Sequence, residues 1–473
     1  MQNQLLFCEA NYTVETLELE GKSLVYRAYE GIPYVTNPAD AKIQTLNIFV
    51  PEIFYEGGSV GPYHLKNAPI FFPNTVGGYM PGPCERPGRD SRGRINASFE
   101  ALRHGYVVVS PGVRGRGMKD DAGRCIGTAP AAICDLKAAV RFLRHNAHKI
   151  PGDVDRIISN GTSAGGALSA LLGTTGNHPD FEPFLQAMGA AEEKDNIFAA
   201  SCYCPITNLD HADMAYEWEF CGLNEYHNMK FEPPGPGEDR PRITPADGVM
   251  TEKQKQLSLE LKTLFPAYLN SLNLKDEEGH DLTLDTNGNG SFKEYVQAIA
   301  AASAQKELDR GTDLSKFSWL SIEEGKVKDI HFDGYTAFRT RMKETPAFDH
   351  TVMGTPENEL FGTEDIPCRH FTEYSKMHSE VSGELADAQQ IKMMNPMNYI
   401  EDKKAVKAKY VRIRHGSVDR DTSLAVSAML NVKLKNNGVE AQLEYPWGIP
   451  HAGDYDLEEL FAWIDKICGE IEK

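Results

Sequence analysis

A serine set between glycines, at the junction of a strand-like and a helix-like segment, constrains the fold of this chain more than any other feature. Residues 156–160 have the composition of a buried strand, and residues 167–172 are rich in Ala and Leu, as helices are. Gly161-Thr-Ser-Ala-Gly-Gly166 joins them, and its glycines allow the close chain approach of a tight turn. A Gly-x-Ser-x-Gly string is common by chance, but this placement predicts that Ser163 is an exposed nucleophile at the tip of the turn.

Strand-like and helix-like segments alternate around this turn. Strands are predicted at 45–50, 69–72, 106–110 and 156–159, and an apolar helical stripe runs through 131–148. The alternation returns near the C-terminus, with strands at 410–413 and 441–445 and helices at 422–436 and 457–471. The pattern predicts an α/β fold with a mostly parallel central sheet flanked by helices, and with the serine turn it indicates the α/β-hydrolase fold.

The middle of the chain follows a different pattern. Residues 204–395 lack strand alternation and are dominated by helix-like segments at 252–272, 291–308 and 383–394. We therefore expect a catalytic core formed by 1–203 and 396–473, with 204–395 inserted as a mainly helical lid domain. Residues 231–241 within it are rich in Pro and Gly, which predicts an irregular surface loop.

Composition limits the partners and the location of the protein. Sixty-eight acidic against 49 basic side chains give a net charge of −19, which disfavours binding to nucleic acid or to an anionic membrane. Neither a signal peptide nor a transmembrane segment is evident, so we expect a cytoplasmic location. The nine cysteines are scattered without zinc-site spacing; reduced thiols are expected, with Cys202 and Cys204 as buried strand residues.

A serine nucleophile needs a base and an acid, which in this fold follow it in the order acid, then histidine. His451 follows the last predicted strand and is the expected base. His415 comes too early and is expected to cap or pack. Asp419 and Asp421 both follow the strand at 410–413, and spacing favours neither of them as the acid.

The oxyanion hole of such an enzyme requires two backbone N–H donors. Ala164, directly after the nucleophile, is one expected donor, and Gly77, in a loop after the strand at 69–72, is the other. Gly77 has no side chain to block its N–H group. The alternative is that the Gly77 loop is a purely structural turn.

One loop resembles the first half of a calcium-binding EF-hand. Asp285, Asn287 and Asn289 have the spacing of its first three side-chain ligands, but Val296 stands where a bidentate Glu is expected. Two interpretations remain open, a structural Ca²⁺ ion or an Asx-rich turn that leads into a helix. Neither gives the metal a part in catalysis, for which no cofactor is expected.

Over nearly its whole length the chain resembles the bacterial tannases, the tannin acyl hydrolase branch of the α/β-hydrolases. The resemblance is carried by segments that share sequence motifs with that family: 73–79 (Pro-Asn-Thr-Val-Gly-Gly-Tyr), 160–166 (Asn-Gly-Thr-Ser-Ala-Gly-Gly), 203–206, 211–218, 341–343, 356–358, 412–416, 419–423 and 451–455. It implies hydrolysis of esters of gallic acid and related hydroxybenzoates through an acyl-enzyme that releases gallic acid. The expected partners are alkyl gallate and protocatechuate esters and gallotannins.

The same resemblance implies roles for individual residues. It implies a triad of Ser163, Asp419 and His451, which resolves the choice between the two aspartates. Asp421 is assigned to the substrate instead, together with Lys343 and Glu357, as the groups that meet the phenolic hydroxyls. Ile206 and Pro356 are implied as the apolar faces that enclose the ring.

A galloyl ring carries three adjacent hydroxyls, each both donor and acceptor, so two carboxylates and an ammonium can satisfy them in one plane. Two alternatives to a tannase stay open at the level of the sequence. One is a feruloyl or general carboxylesterase with the same triad. The other is a non-catalytic protein that binds plant phenolics.

Overall fold

A nine-stranded mixed sheet forms the centre of the computed structural model, which describes residues 5–232 and 242–469. Its strands, in chain order, are β1 (Thr13–Leu19), β2 (Lys22–Pro33), β3 (Thr45–Pro51), β4 (Pro69–Pro73), β5 (Val107–Pro111), β6 (Asp153–Thr162), β7 (Ala199–Tyr203), β12 (Tyr410–Arg414) and β13 (Glu440–Glu444). Their order across the sheet is β1-β2-β3-β5-β4-β6-β7-β12-β13. The pairs from β5 to β13 are parallel, and the pairs among β1, β2, β3 and β5 are antiparallel.

Strands at the centre of the sheet are buried along their whole length. Every residue of β4, β5, β7 and β12 is buried, as expected of parallel strands covered by helices on both faces. The six predicted strands are confirmed, with ends shifted by one to three residues. The hairpin of β1 and β2 was not predicted, because its strands are only partly buried and lack a continuous apolar run.

The helices of the structure connect these strands and build the region between β7 and β12. In chain order they are α1 (Ala97–Arg103), α2 (Ala131–His145), α3 (Ala164–Thr174), α4 (Glu182–Ala187), α5 (Leu209–Phe220), α6 (Glu252–Ser271), α7 (Ser291–Asp309), α8 (Phe332–Arg339), α9 (Pro356–Leu360), α10 (Glu373–Met377), α11 (Ala388–Met393), α12 (Leu424–Asn436) and α13 (Leu457–Gly469). The architecture is that of an α/β-hydrolase, with helices flanking the sheet.

The described residues between 204 and 395 contribute no strand to the central sheet. Most of their regular structure is helical, and they also contain two hairpins that were not predicted, β8 (Glu225–Glu232) with β9 (Arg242–Val249) and β10 (Leu320–Glu323) with β11 (Lys326–Ile330). The division into a core and an inserted lid domain stays a prediction. The loop predicted at 231–241 begins within β8, and residues 233–241 lie outside the described residues.

One predicted helix is shorter than expected. The helix at 383–394 is confined to α11, because the Asp387 side chain caps it by accepting hydrogen bonds from the N–H groups of Gln389 and Gln390. Upstream of this cap, the N–H of Ala386 donates to the carbonyl of His370, which holds that stretch outside the helix.

All nine cysteines are free thiols, in agreement with the expectation of reduced cysteines. Cys202 lies in β7 as predicted, whereas Cys204 lies one residue beyond the end of this strand, with a positive φ of 34°. Among the described residues, no helix is both long enough and apolar enough to cross a bilayer.

Candidate active site

Ser163 occupies a strained turn between β6 and α3. Its backbone has φ 60° and ψ −121°, outside the regions that a serine ordinarily adopts. The turn is held because the Ser163 N–H donates to the Tyr203 carbonyl at 2.9 Å and the Ser163 carbonyl accepts from the N–H of Ile206 at 3.2 Å. The end of β7 therefore fixes the serine that the sequence predicts as nucleophile.

Close packing around the turn explains the glycines on either side of the serine. A Cβ atom at Gly161 would collide with the backbone of Gly165, and one at Gly165 would lie 2.6 Å from Oδ1 of Asn74. The Asn74 side-chain amide donates to the Gly165 carbonyl at 3.1 Å and to Ser169 Oγ at 3.0 Å. Asn74 thus ties the loop after β4 to the start of α3, a link that the sequence alone did not reveal.

The two predicted oxyanion donors lie in the two segments that Asn74 joins, the start of α3 and the loop after β4. Ala164 is the first residue of α3, and the next residue, Gly165, donates its N–H to the carbonyl of Val76 at 3.0 Å. Gly77 follows Val76, is exposed, and has open space where a side chain would lie. The two residues therefore lie close to each other beside Ser163, and their roles as donors stay predictions.

Asp419 and His451 form a buried hydrogen-bonded pair. Asp419 is fully buried after β12, and its Oδ2 lies 2.7 Å from Nδ1 of His451 in the loop after β13. That loop packs against the serine turn, because a Cβ atom at Gly453 would collide with the side chain of Thr162. The fold thus brings Ser163, Asp419 and His451 together at the ends of β6, β12 and β13.

His415 also approaches Asp419, which sequence reasoning missed. It is fully buried, its Nδ1 is 2.6 Å from Ser427 Oγ, and its Nε2 is 3.3 Å from Oδ2 of Asp419. The expectation that His415 packs is correct, but its packing partner is the predicted acid of the triad. A His-Gly pair directly after a strand was the only signal for it in the sequence.

The close contact of Asp419 with two histidines shifts the pKa values of Asp419 and His451. Burial raises the pKa of Asp419, but the imidazoles of His451 and His415 outweigh burial and hold that pKa well below its ordinary value. Burial lowers the pKa of His451, yet the nearby Asp419 carboxylate dominates and raises it well above the ordinary value. Asp419 is therefore ionised, as an acid that orients a histidine must be.

Lys343, Glu357 and Asp421 form a second polar group next to this pair. Lys343 Nζ lies 2.8 Å from Oδ1 of Asp421, and the Asp421 N–H donates to Oδ1 of Asp419 at 2.8 Å. Burial favours the neutral lysine, but Asp421 and Glu357 together raise the pKa of Lys343. Burial also raises the pKa of Glu357, and Lys343 only partly offsets it. This group offers an ammonium, a carboxylate and a carboxyl group with a raised pKa.

The loop that carries Lys343 is anchored by side chains of α5. The hydroxyl of Tyr216 accepts from the N–H of Lys343 at 3.0 Å and donates to the carbonyl of Arg420 at 3.0 Å, so it joins the Lys343 and Asp421 loops. Glu217 pairs with Arg341 in a fully buried ion pair. An unpaired buried charge is costly, so each of these two residues depends on the other.

Arg339 connects the same region to the predicted triad. Its guanidinium pairs with Glu219 of α5 and donates to the backbone carbonyl of Asp419. Glu219 in turn accepts from the hydroxyl of Ser423 at 2.7 Å and from the N–H of Leu424 at 2.9 Å, at the start of α12. The orientation of Asp419 therefore depends on residues from both α5 and α8.

The two residues predicted to enclose an aromatic ring differ in exposure. Ile206 is buried beside Ser163, and its carbonyl accepts from the Tyr79 hydroxyl at 2.8 Å. Pro356 is exposed at the first position of α9, one residue before Glu357. The structure places both near the polar groups described above, and their contact with a ring stays a prediction.

The calcium-like loop forms an Asx turn, and a bound Ca²⁺ ion stays a prediction from the sequence spacing. Oδ1 of Asp285 accepts from the N–H groups of Asn287 and Asn289 at 2.8 and 3.0 Å. Nζ of Lys293 donates to Oδ1 of Asn289 at 3.0 Å, so an ammonium already contacts one of the expected ligand oxygens. Val296, at the twelfth position, is buried in the core. Of the three side chains with ligand spacing only Asp285 is a carboxylate, and the bidentate Glu of an EF-hand is absent.

Known proteins resemble this chain in sequence and structure. A family model described as BD-FAE matches residues 88–219, which include the serine turn. The crystal structure of a tannase from Lactobacillus plantarum is 44% identical, with a TM-score of 0.96, and the match covers 98% of this chain and 99% of that chain. The tannase of Fusobacterium nucleatum is 48% identical over 98% of this chain and 99% of that one, with a TM-score of 0.93.

A third solved structure, a tannin acyl hydrolase in complex with ethyl gallate, is 44% identical, covers 98% of this chain and 99% of that chain, and has a TM-score of 0.93. The similarity thus extends over nearly the whole chain, and so over both predicted domains. The chain belongs to the tannase family, the tannin acyl hydrolases, and has the α/β-hydrolase fold of that family.

Proposed function

We propose that the protein is a serine esterase that hydrolyses the ester bonds of gallic acid and related hydroxybenzoic acids. The observation that carries the proposal is the pairing of Lys343 with Asp421, at 2.8 Å, directly beside the Asp419–His451 pair. A general esterase has no need of a half-buried ammonium and two further carboxyl groups next to its triad. The complex of a relative with ethyl gallate also supports the proposal.

The first half of the reaction forms an acyl-enzyme. His451 takes the proton of the Ser163 hydroxyl through Nε2, and Ser163 Oγ attacks the ester carbonyl carbon. Asp419 holds Nδ1–H of His451 and stabilises the imidazolium. The backbone N–H groups of Ala164 and Gly77 stabilise the oxyanion, and His451 then gives its proton to the leaving alcohol.

The second half returns the enzyme to its starting state. A water molecule gives a proton to His451 and attacks the acyl carbon, and the bond between this carbon and Ser163 Oγ then breaks. His451 returns the proton to Ser163, and gallic acid leaves. Because Asp419 is buried and ionised, it keeps the same histidine orientation in both halves.

Recognition of the ring follows from the polar group around Lys343. The ammonium donates to a phenolic oxygen, and the Asp421 carboxylate accepts from a phenolic hydroxyl. Glu357, whose pKa is raised by burial, can donate as well as accept. A ring without these hydroxyls leaves buried polar groups unpaired, which makes the site selective.

A comparison of esters with and without the phenolic hydroxyls tests the substrate class. We expect kcat/KM for methyl gallate to exceed that for methyl benzoate by about 10⁴-fold, the discrimination achieved by sites that hydrogen-bond substrate hydroxyls. Methyl ferulate serves as the third substrate, and a preference for it would instead establish the feruloyl esterase alternative. Equal turnover of gallate and benzoate would indicate a general carboxylesterase.

A fluorophosphonate probe separates an esterase from a protein that only binds phenolics. We expect the probe to label the protein once and to give no label in Ser163→Ala, with Ser271→Ala, at the exposed end of α6, as the control that stays labelled. Gallate binding without labelling would support the non-catalytic alternative. A cytoplasmic location and the use of large gallotannins stay predictions from the sequence.

A further inference from the structure

Cys204 places a thiol against the predicted catalytic histidine. It is fully buried one residue after β7, where its N–H donates to the carbonyl of Arg414 at 2.6 Å. Its Sγ lies 3.9 Å from Nε2 of His451 and donates to the carbonyl of Ala452 at 3.4 Å. None of the reaction steps above uses this sulfur.

The Asp419–His451 pair decides which nitrogen faces the thiol. Asp419 accepts from Nδ1–H, so in the neutral imidazole the lone pair belongs to Nε2. An imidazole nitrogen with its lone pair and a cysteine sulfur are the two side-chain ligands that zinc and other soft divalent cations prefer. The ligand atoms of Cys204, Asp419 and His451 all lie within 4.8 Å of one another.

We propose that Cys204 and His451 bind a soft divalent cation of the Zn²⁺ or Cd²⁺ class, and that this ion inhibits the enzyme. Zn–S and Zn–N bonds of about 2.3 and 2.0–2.1 Å at a tetrahedral angle separate sulfur from nitrogen by about 3.6 Å. The separation in the structure is 3.9 Å, so a shift of a few tenths of an ångström creates the site. Binding forms one metal–sulfur and one metal–nitrogen bond and releases to solvent the thiol proton and, from any imidazolium, the proton on Nε2 of His451.

The surroundings of the two ligands suit this role. Asp419, hydrogen-bonded to Nδ1, becomes the outer carboxylate that orients a metal-binding histidine. The His451 side chain is 25% exposed, which leaves a path for an ion from the solvent. Hard cations such as Mg²⁺ and Ca²⁺ prefer oxygen ligands and are not expected to bind here.

Inhibition rests on the proposed function, because the ion takes the lone pair with which His451 receives the Ser163 proton. The test measures hydrolysis of an activated benzoate ester, since catechol-type substrates would themselves chelate the metal. We expect Zn²⁺ and Cd²⁺ to inhibit the wild-type protein and Mg²⁺ to have no effect. Cys204→Ala is expected to stay active and to need at least about 10–100-fold more metal for the same inhibition, the loss that follows even when only an outer partner of a metal ligand is removed.

Cys202→Ala provides the matched control. Cys202 is equally buried and lies in β7, two residues before Cys204, and its thiol is not one of the ligand atoms near His451. This variant is expected to be inhibited like the wild type. Cys204→Ser gives a second variant of nearly the same size if Cys204→Ala fails to fold.

A direct binding measurement separates the site from its effect. Titration with Cd²⁺ produces the ultraviolet charge-transfer band of a cadmium–thiolate bond, and we expect the wild type to show one equivalent more than the Cys204 variants. Equal inhibition and equal bands in wild type and variants would overturn the site. A band that depends on Cys204 but comes without inhibition would keep the site and overturn the role of His451 as base.

Discussion

His415 and His451 approach the same oxygen atom of Asp419 from two directions. Nδ1 of His451 lies 2.7 Å from Oδ2 and Nε2 of His415 lies 3.3 Å from it, while Oδ1 accepts the N–H of Asp421. One oxygen of the carboxylate is therefore fixed by its own loop, and the other lies between two imidazoles. An acid that orients a catalytic base needs this rigidity, because a misplaced imidazole does not reach the serine proton.

His415→Gln should reduce turnover without affecting substrate binding. Loss of the imidazole leaves Oδ2 of Asp419 in contact with His451 alone, so the carboxylate gains freedom to rotate. We expect kcat to fall about tenfold, equivalent to about 1.4 kcal/mol of transition-state stabilisation, with KM for methyl gallate unchanged. His178→Gln removes another buried histidine that pairs with an aspartate, Asp402, and serves as the control with normal kcat.

A merely structural His415 would give a different pattern. In that case thermal stability would fall in His415→Gln, and kcat per folded molecule would match the wild type. Steady-state kinetics at a temperature well below the unfolding transition distinguish the two cases.

The pH dependence of the enzyme should report the charges around His451. The reaction needs neutral His451, so kcat/KM should fall as the pH drops through the pKa of this residue. Burial lowers this pKa, and Asp419, Cys204 and Asp421 raise it. Asp421→Asn removes one negative charge and leaves the Lys343 ammonium with Glu357 as its remaining acidic neighbour, so the acid limb of the profile should move to lower pH.

The pH profiles require a substrate that does not titrate in this range. An activated benzoate ester without phenolic hydroxyls meets this need. Glu357→Gln is the control, because Glu357 is not among the groups with the largest effect on the pKa of His451. A profile for Asp421→Asn that moves to higher pH, or does not move, would contradict this electrostatic account.

Much of the fold was predictable because its determinants are local in sequence. The strand, glycine-rich turn and helix around Ser163 follow from one continuous segment, and the C-terminal strands place His451 after the last of them. The choice between Asp419 and Asp421 was not predictable from spacing, since it depends on which side chain faces a loop 30 residues away. Family resemblance, and not residue pattern, suggested the answer.

The network behind the site could not be predicted, because it joins segments that are distant in the chain. Tyr216 bonds to the Lys343 and Arg420 backbones, and Arg339 pairs with Glu219. In the sequence these are ordinary polar residues of helices, which usually lie on surfaces. Only the three-dimensional structure shows that α5 presents three of its polar groups to the loops of the site.

Tyr216→Phe should weaken recognition of the galloyl ring. The change leaves the N–H groups of Met342 and Lys343 without their acceptor, so the Lys343 loop loses its link to Arg420. We expect kcat/KM for methyl gallate to fall about tenfold or more, the effect of unsatisfied buried donors, with a smaller loss for a benzoate ester. Tyr295→Phe, whose hydroxyl contacts Asn431 instead, should behave like the wild type. Equal losses of kcat/KM for both esters would show that Tyr216 contributes only to the general stability of the fold.

Calcium should have no effect on stability. Asp285 Oδ1 is occupied by two backbone N–H groups, and Lys293 contacts Asn289. A bound ion would stabilise the folded state in proportion to its saturation. We expect the same melting temperature in calcium chloride and in a calcium chelator, measured by calorimetry. A rise with calcium that Asp285→Asn abolishes would instead establish the ion site that the sequence spacing suggested.

Asp419 should serve catalysis, and Asp421 should serve recognition of the substrate. Asp419 contacts His451 and is not positioned against Lys343, whereas Asp421 bonds to Lys343 at 2.8 Å. Asp419→Asn should therefore lower kcat for every ester by about 10⁴-fold, as expected when the acid of such a triad is neutralised.

Asp421→Ala should act selectively on esters with phenolic hydroxyls. Loss of a charged partner from a buried hydrogen bond costs about 1.5–3 kcal/mol, or about 10- to 100-fold in kcat/KM for methyl gallate. An activated benzoate ester makes no such bond, so its kcat/KM should change much less. The kcat/KM values of Asp419→Asn and Asp421→Ala with the two esters distinguish these two roles. If both variants lose both activities to the same extent, Asp421 serves the triad and not the substrate, and recognition of the ring would depend on Lys343 and Glu357 alone.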